Sequence, residues 1–346
     1  MTDIHRRLTE VLGGPYTRAF ELDLGTAHRF IVFSDQHKGA GDQADEFRKC
    51  QGAYAAALRY YRERGFTLIL LGDSEELWEQ NFGEVEKAYR EILALEGSFG
   101  AGRYLRVWGN HDDQWMDAKA VSKRLAPYMP PGEVLEGLRF DVRHGGRGLG
   151  RIFLVHGHQG EFGSEHLRGI ARVVLKVYRI WQRLTGLGTT TPAKDACLRG
   201  EHDRTMYQWA AGQDRLMLIA GHTHRPVWSS RTHLEKLQDQ LRALEARPAS
   251  PERDRLIREK QDEIEKRRAR MGDCNDVPKP RKCYFNAGCC RYDDGDITGM
   301  ELEDGVLRLL KWSATPPGGS SARMVLEEDL VEAILTGLAA ATTPDA

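Results

Sequence analysis

Short apolar runs that stop abruptly on polar residues recur along this chain. Arg29-Phe30-Ile31-Val32-Phe33 leads into Ser34-Asp35-Gln36-His37. Thr67–Leu71 leads into Gly72-Asp73, residues 105–108 into Gly109-Asn110-His111-Asp112, residues 152–155 into His156-Gly157-His158, and Leu216–Ala220 into Gly221-His222-Thr223-His224. β-Branched and aromatic runs of this length read as buried strands. Each one carries an acid, an amide or an imidazole to its C-terminal end. In sheets with helical crossovers, that edge is where binding sites form.

Helical periodicity fills the gaps. Ile4, Leu8 and Leu12 line one side of a first helix, with Thr2 as its cap and Gly13-Gly14-Pro15 as its stop. Residues 20–24 alternate like an edge strand. Residues 54–64 read as a helix ending at Gly65, which makes a βαβ unit into the Asp73 strand. Residues 74–95 read as a second long helix, with Leu77, Val85, Tyr89, Ile92 and Leu93 inward. Midway the pattern turns antiparallel. Residues 138–142, a glycine-rich turn and residues 151–155 form one hairpin, and Ile297–Glu303, Asp304-Gly305 and residues 306–312 form another. The class expected is α/β, an α+β sandwich of two mixed β-sheets packed face to face with helices outside.

Two segments look inserted into a catalytic domain spanning residues 1–335. Residues 162–211 hold a basic amphipathic pattern in which Leu167, Ile170, Val173, Val177 and Trp181 alternate with Arg168, Arg172, Lys176 and Arg179. A helix packed on the sheet and a lid over an amphiphilic substrate or membrane surface are both open readings. Residues 232–271 carry two leucine-rich seams across a Pro248-Ala249-Ser250-Pro251 turn, which reads as an antiparallel helical hairpin. It is either solvated or a homodimerisation arm. Residues 336–346, rich in small side chains, read as a disordered tail.

Composition narrows the setting. With 346 residues, 40% of them hydrophobic, the chain can bury a sizeable core. Lys and Arg number 50 against 51 Asp and Glu, for a net charge of −1, so no global field draws in nucleic acid. No signal-peptide pattern opens the chain and no run approaches a membrane span. The six cysteines are irregularly spaced. Cys274, Cys283, Cys289 and Cys290 read as buried thiols rather than a zinc site. A reduced cytoplasmic location is expected, with peripheral membrane contact left open.

Asp35, His37, Asp73, Asn110, His156, His222 and His224 offer oxygen and imidazole donors without a thiolate. That mixture suits two divalent ions, with Mn²⁺ first and Fe²⁺ or Zn²⁺ open. Two ions held about 3.5–4 Å apart need a shared carboxylate, and Asp73 is the candidate. The ordered series D-x-H, G-D, G-N-H-D, H-G-H and G-H-x-H resembles the calcineurin-like metallophosphoesterases. The resemblance implies their four-layer fold and hydrolysis of a phosphodiester, pyrophosphate or phosphomonoester. It also implies that Asp35, His37 and His224 surround one ion, that Asn110, His156 and His222 surround the other, and that Asp73 is common to both. His111 stands where the family places a histidine that protonates the leaving oxygen, and Asp112 can hold its imidazole. His158, Asn110 and Trp78 are expected to border the substrate, whereas His144, His166 and His202 are read as structural.

Gly72-Asp73-Ser74-Glu75-Glu76-Leu77-Trp78 is similar to the G-D-x-x-E-x-W block of the UDP-2,3-diacylglucosamine pyrophosphohydrolases, which implies an amphiphilic or nucleotide-linked substrate. Those enzymes carry Arg where this chain has His111, and lack the hairpin at 232–271. Two other classes stay open: a nuclease of the same superfamily, and a non-catalytic scaffold that retains the fold.

Overall fold

A computed structural model of the protein describes residues 3–160, 192–271, 281–313 and 322–339. The chain opens with α1 (Asp3–Leu12), β1 (Thr17–Asp23) and β2 (Arg29–Phe33). Then follow α2 (Phe47–Glu63), β3 (Thr67–Leu71), α3 (Phe82–Gly97) and β4 (Tyr104–Val107). After the hairpin β5 (Gly137–His144) and β6 (Arg147–Val155) come α4 (Pro192–Ala211) and β7 (Leu216–Ala220). Short strands β8 (Val227–Trp228) and β9 (Arg231–Thr232) precede α5 (His233–Glu245) and α6 (Pro251–Met271). The remainder is β10 (Tyr284–Asn286), β11 (Ile297–Glu303), β12 (Val306–Ser313), β13 (Ala322–Leu330) and α7 (Val331–Ala339).

The strands form two mixed sheets, in the orders β1-β5-β6-β7-β10-β8-β9 and β13-β12-β11-β2-β3-β4. Period-2 alternation explains how they stack. Val32, Ile69, Leu71 and Val107 point into a core shared with Leu154, Ile219 and Phe285 of the other sheet. Ile31, Phe33, Leu68 and Leu70 point the opposite way, against Tyr54, Leu58 and Tyr61 of α2 and Val85, Tyr89 and Ile92 of α3. Helices α1, α4 and α7 cover the far side of the seven-stranded sheet. Fully burying each such side chain contributes about 1.5–3 kcal/mol, so the interleaved cores hold the sheets in register. The expected sandwich is present. Strands β2, β3 and β4 are parallel neighbours, as are β6 and β7, so their C-terminal ends open on one edge. No described helix is long and apolar enough to cross a membrane.

Several sequence expectations are corrected. Residues 74–80 are not helical. Their backbone amides are spent elsewhere: Glu76 N donates to Lys38 O at 3.0 Å and Leu77 N to His111 O at 3.1 Å. The helix starts only after Asn81, whose side chain and that of Glu84 form a capping box. The lid-like reading of 162–211 does not hold for its last twenty residues. Parallel β6 and β7 need a crossover, and α4 provides it, burying Met206, Trp209 and Ala210 in the core. The segment carrying Val173, Val177 and Trp181, together with His166 and Cys274, lies outside the described residues. The tail begins later than residue 336, because α7 runs to Ala339 and buries Leu338. Helices α5 and α6 pack together through Leu237, Leu241 and Ile264, and Cys283, Cys289 and Cys290 are buried free thiols.

Candidate metal centre

Every expected ligand sits just past a strand. Asp35 and His37 follow β2, Asp73 follows β3, Asn110 follows β4, His156 follows β6, and His222 and His224 follow β7. The loops bring them to one point. Asp35, His37 and His224 form one group of converging donor atoms, and Asp73, His156 and His222 form a second. His224 Nε2 lies 3.1 Å from Asp35 Oδ1, and His37 Nε2 lies 3.3 Å from His224 Nε2. In the second group, His156 Nε2 lies 3.1 Å from Asp73 Oδ2. The same Oδ2 is 3.5 Å from His37 Nε2, so Asp73 faces both groups.

These separations suit a shared cation. Ligands bound at about 2.1 Å to one ion stand roughly 3.0–3.4 Å from each other. Hydrogen bonding points the same way. Asp35 Oδ1, Asn110 Oδ1 and His156 Nε2 are buried with no hydrogen-bond partner among the described residues. Orphaned buried polar atoms are costly, and those of Asp35 and His156, each within one of the two donor groups, fit a metal-ligand cradle. Outer partners fix the imidazoles. His156 Nδ1 donates to Leu71 O at 2.9 Å and His37 Nδ1 donates to Glu76 Oε2 at 3.0 Å, which leaves each Nε2 to coordinate.

Electrostatics follow from burying two carboxylates. Burial pushes Asp35 up, but His224 and His156 outweigh it and hold its carboxyl well below the usual range. Burial also opposes ionised Asp73, and His156 and His111 overcome it. Burial presses His156 down, yet the charges of Asp73 and Asp35 raise it to about 10. Burial and Arg291 press His37 down, and its neighbouring carboxylates still raise it to about 9. His224 is driven by burial to about 3. The cluster demands positive charge, which is what divalent ions deliver.

The surrounding residues are arranged differently from expectation in one respect. Asp112 does not hold His111. Its carboxylate accepts from Gly109 N at 2.6 Å and Ser74 N at 2.8 Å, beside Arg106. Buried there, with Glu75 and Asp73 nearby, its pKa rises to about 6 even though Arg106 opposes the shift. The residue on the His111 ring is Glu76, whose Oε1 accepts from Nδ1 at 2.8 Å. Trp78 stacks on that ring, 4.4 Å between centroids and 20° between planes, and its buried Nε1 has no hydrogen-bond partner among the described residues. His158 is buried against Trp108, with ring centroids 5.0 Å apart. His202, read as structural, bonds Gly157 O at 2.8 Å, and its ring lies 5.2 Å from that of His222. His144, also read as structural, pairs with Glu332 on the surface.

Two motif glycines are explained by contact. A Cβ on Gly109 would overlap the Asp73 carboxylate and backbone nitrogen, and one on Gly221 would overlap Ser34 and Asp35. Each motif thus keeps clear the space that another block's acid occupies. Gly109→Ala is therefore expected to displace Asp73, lowering metal content below two per chain and Tm by several degrees. Elemental analysis and a melting curve check this, with Gly148→Ala as the control because a Cβ there meets nothing within 4 Å.

Comparison with known proteins adds the lineage. Among solved structures the chain is similar to vacuolar protein sorting 29 from Cryptosporidium parvum, at 13% identity and TM-score 0.35, covering 88% of this chain and 98% of that one. It is similar to a dimetal phosphatase from Danio rerio, at 12% identity and TM-score 0.34, covering 87% and 99%. It is also similar to a conserved uncharacterized protein, a predicted phosphoesterase, from Streptococcus pneumoniae TIGR4, at 12% identity and TM-score 0.29, covering 87% and 98%. No curated protein is a significant match. The sequence pattern of the calcineurin-like phosphoesterases matches residues 28–226, a stretch that holds all five motif blocks, and the chain belongs to that family.

Proposed function

We propose that this protein is a hydrolase with two divalent metal ions that cleaves a phosphate ester: a diester, a pyrophosphate or a monoester. The observation that carries the reading is Asp73, one carboxylate oxygen 3.5 Å from His37 Nε2 and 3.1 Å from His156 Nε2, between two sets of converging donors. Asp35, His37 and His224 would hold one ion, Asn110, His156 and His222 the other, and Asp73 both. Bound ions there would neutralise phosphoryl oxygens and lower the pKa of the attacking water. Mn²⁺ is the first expectation for this donor set.

The chain's own residues supply the rest. Water adds to phosphorus as the ester P–O bond breaks, and the departing oxygen takes a proton. His111 is the donor in this reading, through Nε2 of its imidazolium, because Nδ1 is engaged by Glu76. Its ring is a quarter exposed and steadied by Trp78, so it can meet substrate without leaving its seat. His158, Asn110 and Trp78 would border the substrate in this reading. An amphiphilic or nucleotide-linked ester is the favoured substrate class, on the G-D-x-x-E-x-W block alone.

The test is a screen of metal-loaded protein against bis-p-nitrophenyl phosphate, p-nitrophenyl phosphate, a nucleotide-sugar pyrophosphate and single-stranded DNA. Hydrolysis of none of them, with two ions bound, would sink the reading. Asp73→Ala should lose both ions, since it faces both groups. Two ions retained by the mutant would remove its bridging role. His111→Ala should keep both ions yet lose about 10²–10⁴-fold in kcat on esters with poor leaving groups. Activity within a few-fold of the parent would mean that the leaving oxygen departs without His111.

A further inference from the structure

We propose that Glu76 is a positioning residue that couples the metal shell to the proton donor through one carboxylate. This rests on the reading of the site as a two-metal phosphoesterase centre. Glu76 is buried, and its two oxygens are divided between two rings: Oε2 meets His37 Nδ1 at 3.0 Å, and Oε1 meets His111 Nδ1 at 2.8 Å. The rings stand edge to face with centroids 4.6 Å apart. An ionised carboxylate only accepts, so each Nδ1 must bring the proton. Both histidines are thereby set in the same tautomer, with His37 Nε2 left to coordinate and His111 Nε2 left to meet substrate.

The carboxylate is itself fixed. Glu76 N donates to Lys38 O, next to His37, and Leu77 N donates to the backbone oxygen of His111. The main chain of Glu76 and its neighbour Leu77 is therefore bonded beside each ring that the Glu76 side chain orients. Asp112, adjacent to His111 in sequence, has both oxygens committed to Gly109 N and Ser74 N. Any shift of the His37 loop must consequently move the His111 ring, so metal geometry and proton delivery change together.

The test uses the full chain, labelled with ¹⁵N in its histidine rings and loaded with diamagnetic Zn²⁺. The spectrum is recorded at alkaline pH, and the tautomer is read where the ¹⁵N shifts themselves report neutral rings. The wild-type protein should show the proton on Nδ1 of both His37 and His111. Finding it on Nε2 of either ring overturns the proposal, and this measurement needs no variant. Glu76→Gln keeps the shape but offers one accepting oxygen, so at least one Nδ1–H signal should disappear. Its metal affinity, read by chelator competition, should fall about 10–100-fold, as for other outer partners of metal-bound histidine. Its kcat should fall more on an alkyl phosphate ester than on the p-nitrophenyl ester, whose leaving group needs little help. In a His111→Ala background, Glu76→Gln should still weaken metal binding but add nothing to the leaving-group dependence. A Glu76→Gln protein within two-fold of wild type in both readouts overturns the coupling. So does a third ion per chain held by Glu76, His37 and His111. If loaded wild-type protein hydrolyses no ester, the functional reading fails, while the ring-nitrogen and affinity measurements still decide the role of Glu76.

Discussion

Two buried carboxylates on one sheet, Asp35 and Asp73, face donors from the other, and the rest of the site depends on that encounter. Asp35 Oδ2 accepts from His222 N at 2.9 Å, and Asp73 Oδ2 sits beside His156. The acids follow β2 and β3 of the six-stranded sheet, and the histidines follow β6 and β7 of the seven-stranded one. Ionised carboxylates are very costly to bury unless paired. The apolar core between the sheets, built on Val32, Ile69, Leu154 and Ile219, brings the strand ends close enough for pairing to occur.

Beneath these acids lies a second charged layer that takes no part in ligation. Lys38 Nζ is 2.6 Å from Glu96 Oε1 and 3.4 Å from Glu75 Oε1, and Glu75 also binds Arg106 and accepts from Trp115 Nε1 at 2.9 Å. Tyr54 OH donates to Glu96 at 2.9 Å. Buried ion pairs are weak evidence for net stability, but removing one partner of such a pair typically costs about 3–5 kcal/mol. Here they join the loops after β2, β3 and β4 with α2 and α3, so the platform is rigid where Glu76 rises from it.

The strands and the polar residues gathered at their ends were legible in the sequence because each motif block is local: an apolar strand followed at once by a polar side chain. Period-2 alternation exposed the strands, and the change from crossover helices to the Asp304-Gly305 hairpin exposed the mixed sheets. What stayed hidden was tertiary. Leu77 carries on the helical spacing of Val85 and Tyr89, yet the amides of Glu76 and Leu77 are taken by Lys38 and His111, partners that no local window contains. The same contacts decide that Glu76, rather than adjacent Asp112, holds the imidazole. A buried acid within a motif is visible in sequence, but the partner of each of its oxygens is not. Helix α4 reads as part of an insertion because its core face, with Met206 and Trp209, is short and separated from its strand by the segment before it.

Among the described residues nine non-glycine positions have positive φ, and five of them are Asp35, His37, Asp73, His222 and His224. Each such left-handed residue costs on the order of 1 kcal/mol or more. Asp, Asn and His are the non-glycine types found there most often, and they are also the donors that hard and borderline divalent ions accept. The turn and the donor set of a candidate metal centre thus favour the same residue types at these positions. Glutamate could offer the same oxygen but not the same turn, and glycine the turn but no oxygen. The choice of residue at this edge is narrowed twice over, once by the donor types that a candidate metal centre needs and once by the shape of the main chain that must reverse direction there.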